Sequence, residues 1–104
     1  MTNVSVLLDA IAEPTRRTIV ERLVERPAAV SELARDLPIT RSAVSQHLQI
    51  LKAVGLVTDR AVGTRRIYTV NPEALAVIRA YFDAFWTRSL TAFRDAAEQP
   101  EDPS

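Results

Sequence analysis

The chain has no cysteine, one histidine, two glycines and one methionine in 104 residues. Without cysteine there are no disulfides, thiolate metal sites or thiol nucleophiles; its absence leaves the compartment open, because exported proteins can lack it too. A single histidine, His47, gives one chain no imidazole cluster for a metal, and Asp83 is the lone acid in the middle of the last helical stretch. Two glycines make no Gly-rich phosphate loop. No apolar run approaches the ~18 residues of a membrane span, and no basic stretch leads into an apolar core at the start, so the expected address is cytoplasmic.

Charge of one sign is also missing: 13 basic residues balance 13 acidic ones. Their placement is uneven. Between Thr40 and Arg66 the bases Arg41, Lys52, Arg60, Arg65 and Arg66 face only Asp59, whereas the last ten residues hold Asp95, Glu98, Glu101 and Asp102 and no base. One basic face is enough of an electrostatic footprint for a nucleic acid. The composition is 47% hydrophobic, as expected of one globular domain near the size where oligomerisation often helps to bury apolar surface.

The stretch TRSAVSQHLQILK, Thr40 to Lys52, organises the rest. As a helix it places Val44, Leu48 and Leu51 on one apolar face and Arg41, Ser42, Ser45, Gln46, Gln49 and Lys52 on the other, with no acid among them. Thr40 is the expected N-cap and Gly55 the left-handed stop. Arg, Ser, Gln and Lys present donors and acceptors suited to base edges and phosphates, making this a candidate DNA-recognition helix.

Ahead of it, Val4, Leu7, Leu8 and Ile11 form an apolar stripe on a helix too short to stand alone. Pro14 opens a second helix, PTRRTIVERLVER, with Ile19, Leu23 and Val20 or Val24 inward and Pro27 as its stop. Arg16 and Arg17 are either phosphate contacts or solvated residues paired with Glu13 or Glu21. Ser31 is expected to cap a short helix, ELARDL, closed by Pro38. Two short helices joined so tightly, the second polar outward, fit a helix-turn-helix.

After Gly55 the pattern changes to LVTDRAVGTRRIYTV, predicting a hairpin of Leu56 to Arg60 and Arg65 to Val70 with its turn at Val62, Gly63 and Thr64. Tyr68 and Val70 point inward, and Arg60, Arg65 and Arg66 crowd the tip. Such a hairpin is a wing that reaches DNA beside the helix, or else an edge hairpin carrying Arg for solubility.

Asn71 and Pro72 open a last helix that continues to about Ala97, with Glu73 in its first turn. Leu75, Ile78, Phe82, Phe85 and Phe93 make one line on it, widened by Val77, Tyr81, Trp86 and Leu90. An arc that wide needs two covering surfaces and a chain this short offers one, so the second is expected from another copy; an apolar ligand at Tyr81, Phe85 and Trp86 is the competing use. Residues 98–104 read as a disordered acidic tail after a single domain at 1–97.

The order of elements, with EPTRRTIVERL, SELARDL, SAVSQHLQILKAVGLV and RAVGTRRIYTV, resembles the ArsR-type winged helix-turn-helix repressors of bacteria and archaea over roughly Val4 to Leu90. The spaced block SxxSQHLxxLxxxGLV, followed by a hairpin with Gly at its turn and Tyr on the return strand, carries most of the likeness. The resemblance implies a mainly α fold with a two-stranded β-hairpin. It also implies a homodimer on operator DNA, released by an effector whose identity stays open. By the same likeness Ser42, Ser45 and Gln46 face the major groove, and Arg60, Thr64, Arg65 and Arg66 lie along the flanking groove. The first and last helices make the dimer: Val4, Leu7, Leu8 and Ile11 from one, and Ile78, Tyr81, Phe82, Phe85, Trp86 and Leu90 from the other. Metal-sensing members carry cysteines near the SELARDL segment or His and Asp pairs on the last helix; here those ligands are missing, so no metal or cofactor is expected and His47 reads as a partly buried structural residue. Glu13 stands where the family usually has Asp.

Two other classes compete. A winged-helix protein-interaction module would dock through the aromatic last helix, but calls for an acidic or apolar recognition face, the reverse of this one. An enzyme would need a phosphate loop, a ligand cluster or a nucleophile with its base, and no motif supplies these.

Overall fold

The computed structural model describes residues 3–99. Helices α1 (Val4–Ala12), α2 (Pro14–Glu25), α3 (Val30–Asp36) and α4 (Arg41–Ala53) lead into strands β1 (Val57–Val62) and β2 (Arg65–Val70), and α5 (Pro72–Glu98) follows. The architecture is mainly α with a two-stranded antiparallel hairpin, a winged helix-turn-helix.

Each helix start has a local cause. The Asn3 side chain accepts from Ser5 N–H, Glu13 from Arg16 N–H, Thr40 from Ala43 N–H and Asn71 from Glu73 N–H, each satisfying an amide that the helix leaves free. Pro14 and Pro72 hold the first helical positions, where a missing N–H costs nothing. The expectation for α3 is corrected: Ala29, not Ser31, is its N-cap, because the Glu32 carboxylate reaches back to Ala29 N–H at 3.1 Å and brings Ser31 inside the helix. Gly55 ends α4 with φ +84°, as its spacing predicts.

The core joins all the elements around Leu7, Ile19, Leu33, Leu48, Leu51 and Leu56, each 0% exposed. The choice on α2 falls to Val20, which is buried, whereas Val24 faces solvent. Leu7 is corrected as an interface residue: it lies wholly inside the protomer's own core and has no surface to offer a partner. Val4, Leu8 and Ile11 stay half-buried on the same helix.

Strand register pairs Val57 with Val70 and Val62 with Arg65, leaving Gly63 and Thr64 as a two-residue turn, so β1 runs two residues past the expected Arg60. Only Gly63 of the two has positive φ, +64°, the sign pattern of a type II′ turn, which matches the strands' twist. Tyr68 also exchanges both backbone hydrogen bonds with Ala28, at 2.9 and 3.1 Å, so the segment before α3 pairs with the wing. Nothing in the period of that short segment signals this bridge.

Helix α5 leaves the body. Its first turns pack Ala74, Val77 and Ile78 on the core, and every residue from Arg79 to Gln99 is exposed. The 27-residue helix extends roughly 40 Å at about 1.5 Å per residue. The Cα radius of gyration is 19.1 Å, against about 13 Å for a compact chain of this size. The helix reaches Glu98 with Gln99 as its C-cap, two residues inside the segment expected as tail; residues 100–104 of that expectation lie outside the described residues.

Candidate nucleic-acid interface

Helix α4 is held by its apolar face. Val44, Leu48 and Leu51 are fully buried, which fixes the rotation of the helix and turns Arg41, Ser42, Ser45, Gln46, Gln49 and Lys52 to solvent. The predicted polar face is therefore one continuous surface. Sequence reasoning missed Ile50, which is 43% exposed one turn after Gln46; an apolar residue there is suited to a thymine methyl group. Its signal was the lone aliphatic side chain on a polar face.

The wing places Arg60, Thr64, Arg65 and Arg66 on the surface beside α4. Three of the basic side chains are held by acids that the sequence reading did not connect to them. Asp59 takes Lys52 Nζ at 3.0 Å and Arg66 Nη1 at 3.1 Å, tying the recognition helix to the wing. Its carboxyl is held below the ordinary carboxylate range chiefly by the bond from Lys52, then by that from Arg66. Glu32 pairs with Arg65 across from α3, and its carboxyl is lowered first by the Ala29 backbone N–H and then by Arg65. Arg41 and Arg60 have no ion-pair partner among the described residues.

Arg16 and Arg17 are engaged locally, Arg17 in the expected solvent-exposed pair with Glu21 at 3.9 Å. Arg16 Nε donates to Ala10 O at 2.7 Å and Arg17 to Ile11 O at 3.3 Å, where the carbonyl end of α1 attracts cations. Beneath the helix-turn-helix, Arg22 is 8% exposed and donates to Asp36 at 3.0 and 3.1 Å, joining α2 to α3. Asp36 also receives Arg35, and these bonds, Arg22's first, lower its carboxyl. His47 is half-buried as expected; its Nδ1 has no hydrogen-bond partner and lies 3.9 Å from Glu13. Glu13 itself is lowered mainly by the Arg16 backbone N–H that it caps. Among the described residues no group of three His, Cys, Asp or Glu side chains could hold a metal ion, and no helix is long and apolar enough to cross a membrane.

Residues 13–59, which hold the helix-turn-helix and the start of the wing, match the profile of the arsR family of bacterial regulatory proteins. Over 93 residues the chain is 54% identical to the HTH-type transcriptional regulator Rv2034 of Mycobacterium tuberculosis, covering 89% of this chain and 87% of that one. The chain belongs to the ArsR family.

Solved relatives repeat the whole architecture of this ArsR-family chain. An ArsR-like transcriptional regulator from Rhodococcus sp. RHA1 superposes with a TM-score of 0.75 at 30% identity, over 93% of this chain and 94% of its own. A possible transcriptional regulator for arsenical resistance does so with a TM-score of 0.70 at 45% identity, over 90% and 96%. The ArsR chain is thus a DNA-binding transcriptional regulator, and the protein-interaction reading of its winged fold is not favoured.

Proposed function

We propose that the protein works as a homodimeric repressor reading an inverted-repeat operator. The observation that carries the reading is the solvent face of α4, polar, bare of acids and continuous with a basic wing. Ser42, Ser45, Gln46 and Gln49 read base edges, with Arg41 at the helix start. Lys52, Arg60, Thr64, Arg65 and Arg66 bind the backbone alongside. The unit that does this is the single domain 1–97.

The dimer follows from α5. Phe82, Phe85, Trp86 and Leu90 are 51%, 47%, 63% and 51% exposed on one protomer, a contiguous apolar face of the kind a soluble protein covers. Ile78 and Tyr81 continue it toward the body, where Val4, Leu8 and Ile11 of α1 stand beside α5. A two-fold axis there presents two α4 helices to successive major grooves, with half-site centres roughly 10 bp apart.

Selection of bound sequences from a random DNA pool, followed by titration at two salt concentrations, tests the reading. The expected result is an inverted repeat whose affinity falls about 10³- to 10⁵-fold between 50 and 200 mM salt, as for roughly 6 to 10 phosphate contacts. A pool that enriches no motif overturns it.

A further inference from the structure

Arg41, at the start of α4, and Arg65 and Arg66, on the returning strand of the wing, line one cleft of about 210 Å³. Ser31 of α3 and Thr64 of the turn, both hydroxyl-bearing, and the largely buried Tyr68 also line it. No acid lines the cleft. The two acids that hold its arginines stand outside the lining: Glu32 grips Arg65 and Asp59 grips Arg66. Each acid is itself anchored, Glu32 by Ala29 N–H and Asp59 by Lys52.

Three arginines border this cleft and only two of them have a carboxylate partner, so it is positive on balance and suited to an anion. The two outer carboxylates offset part of that charge and hold the forks of Arg65 and Arg66, while Arg41 has no counter-ion among the described residues. Planar forks with added hydroxyl donors match the oxygens of a phosphate group. The volume is below the roughly 300 Å³ at which small-molecule pockets begin, which favours one phosphate group over a whole nucleotide.

We propose that this cleft seats a single phosphate of the DNA backbone, gripped jointly by the recognition helix through Arg41 and by the wing through Arg65 and Arg66. The inference rests on the DNA-binding reading above and adds that the two elements share one phosphate rather than taking separate ones. A shared phosphate locks the depth of α4 in the major groove to the placement of the wing.

The test replaces each charged phosphate of the selected operator in turn by a neutral methylphosphonate. Neutralisation should weaken wild-type binding at several positions, with one per half-site standing out by a loss of roughly 10-fold or more. At that position Arg41→Ala and Arg65→Ala proteins should both have become insensitive, and the effects of the two substitutions should be less than additive. Arg65→Lys, which keeps the charge without the fork, should preserve the salt slope and lose most of the affinity gained at this phosphate. Insensitivity of the two alanine variants at different positions overturns the shared seat. So does saturation of an Arg65-dependent site by inorganic phosphate with no loss of DNA affinity at equal ionic strength, because the cleft then holds a free anion that DNA does not contact. Failure of the wild type to bind DNA at all sinks the functional reading itself, a separate outcome.

Discussion

Lys52 on the recognition helix and Asp59 on the first strand of the wing form an ion pair at 3.0 Å. The Asp59 side chain is only 8% exposed, so it holds Lys52 and Arg66 from beneath while their charged ends stay at the surface. Asp59→Asn adds one net positive charge to the DNA face and loosens the wing from α4. Binding to random DNA at low salt should tighten, the salt slope should steepen by about 0.9, and the ratio of operator to random affinity should fall. Titrations across salt check this; an unchanged slope would show that Lys52 and Arg66 do not meet phosphates.

Gln46 is the central exposed amide of α4. Gln46→Ala should cost about 1–3 kcal/mol on the operator, the range of a bidentate base contact, and leave random DNA unaffected. Sequence profiles selected by the two proteins should differ at one position per half-site. Identical profiles would remove Gln46 from base reading.

Leu7 and Phe85 separate protomer stability from association. Leu7→Ala should cost roughly 2–5 kcal/mol, because it empties a fully buried site. Phe85→Asp should leave the protomer folded and convert the proposed dimer to monomers, removing the dependence of melting temperature on protein concentration. Sedimentation equilibrium reads the second effect directly, and a Phe85→Asp protein that stays dimeric refutes the α5 interface.

Glu13, Glu32, Asp36 and Asp59 all have carboxyl groups held below their ordinary values by hydrogen bonds and nearby arginine or lysine. A lowered folded-state value means that the folded protein binds fewer protons than the unfolded chain. The stabilisation is therefore complete above the unfolded values near 4 and is lost as pH falls through the folded ones. Melting temperature should be level near neutrality and drop below about pH 4. Asp36→Asn, which leaves Arg22 buried without its anion, should melt earlier at neutral pH and show a shallower acid drop.

The fold was legible where one local cause sufficed. Thr40, Gly55, Gly63, Asn71 and Pro72 each mark a boundary by chemistry that acts within a few residues, and the period of Val44, Leu48 and Leu51 fixes which side of α4 faces out. Ser31 misled because a serine before a helical run competes with a glutamate three residues after the alanine that serves as cap. The acids behind the arginines were hidden for a different reason. Glu32 and Arg65 are 33 residues apart, and Lys52 meets Asp59 only after the chain has turned back at Gly55. Sequence spacing shows which groups share a face of one element and carries no record of which elements lie side by side. Leu7 shows the same limit: its stripe was visible, but whether that stripe covered the core or a partner depended on the packing of α2.

Asn71 carries a mechanical consequence. Its side-chain amide donates to Gly55 O at 2.9 Å, its backbone N–H donates to Leu56 O at 2.9 Å, and its carbonyl oxygen Oδ1 caps α5. One residue thus clamps the exit of the recognition helix to the root of the long arm. With the arm rigid over roughly 40 Å, a tilt of about 5° at that root displaces its far end by roughly 3.5 Å, close to the 3.4 Å step between base pairs. In the proposed dimer, a small change of angle at this clamp, which the packing of Ala74, Val77 and Ile78 resists, is magnified along the arm into a displacement on the scale of one base-pair step.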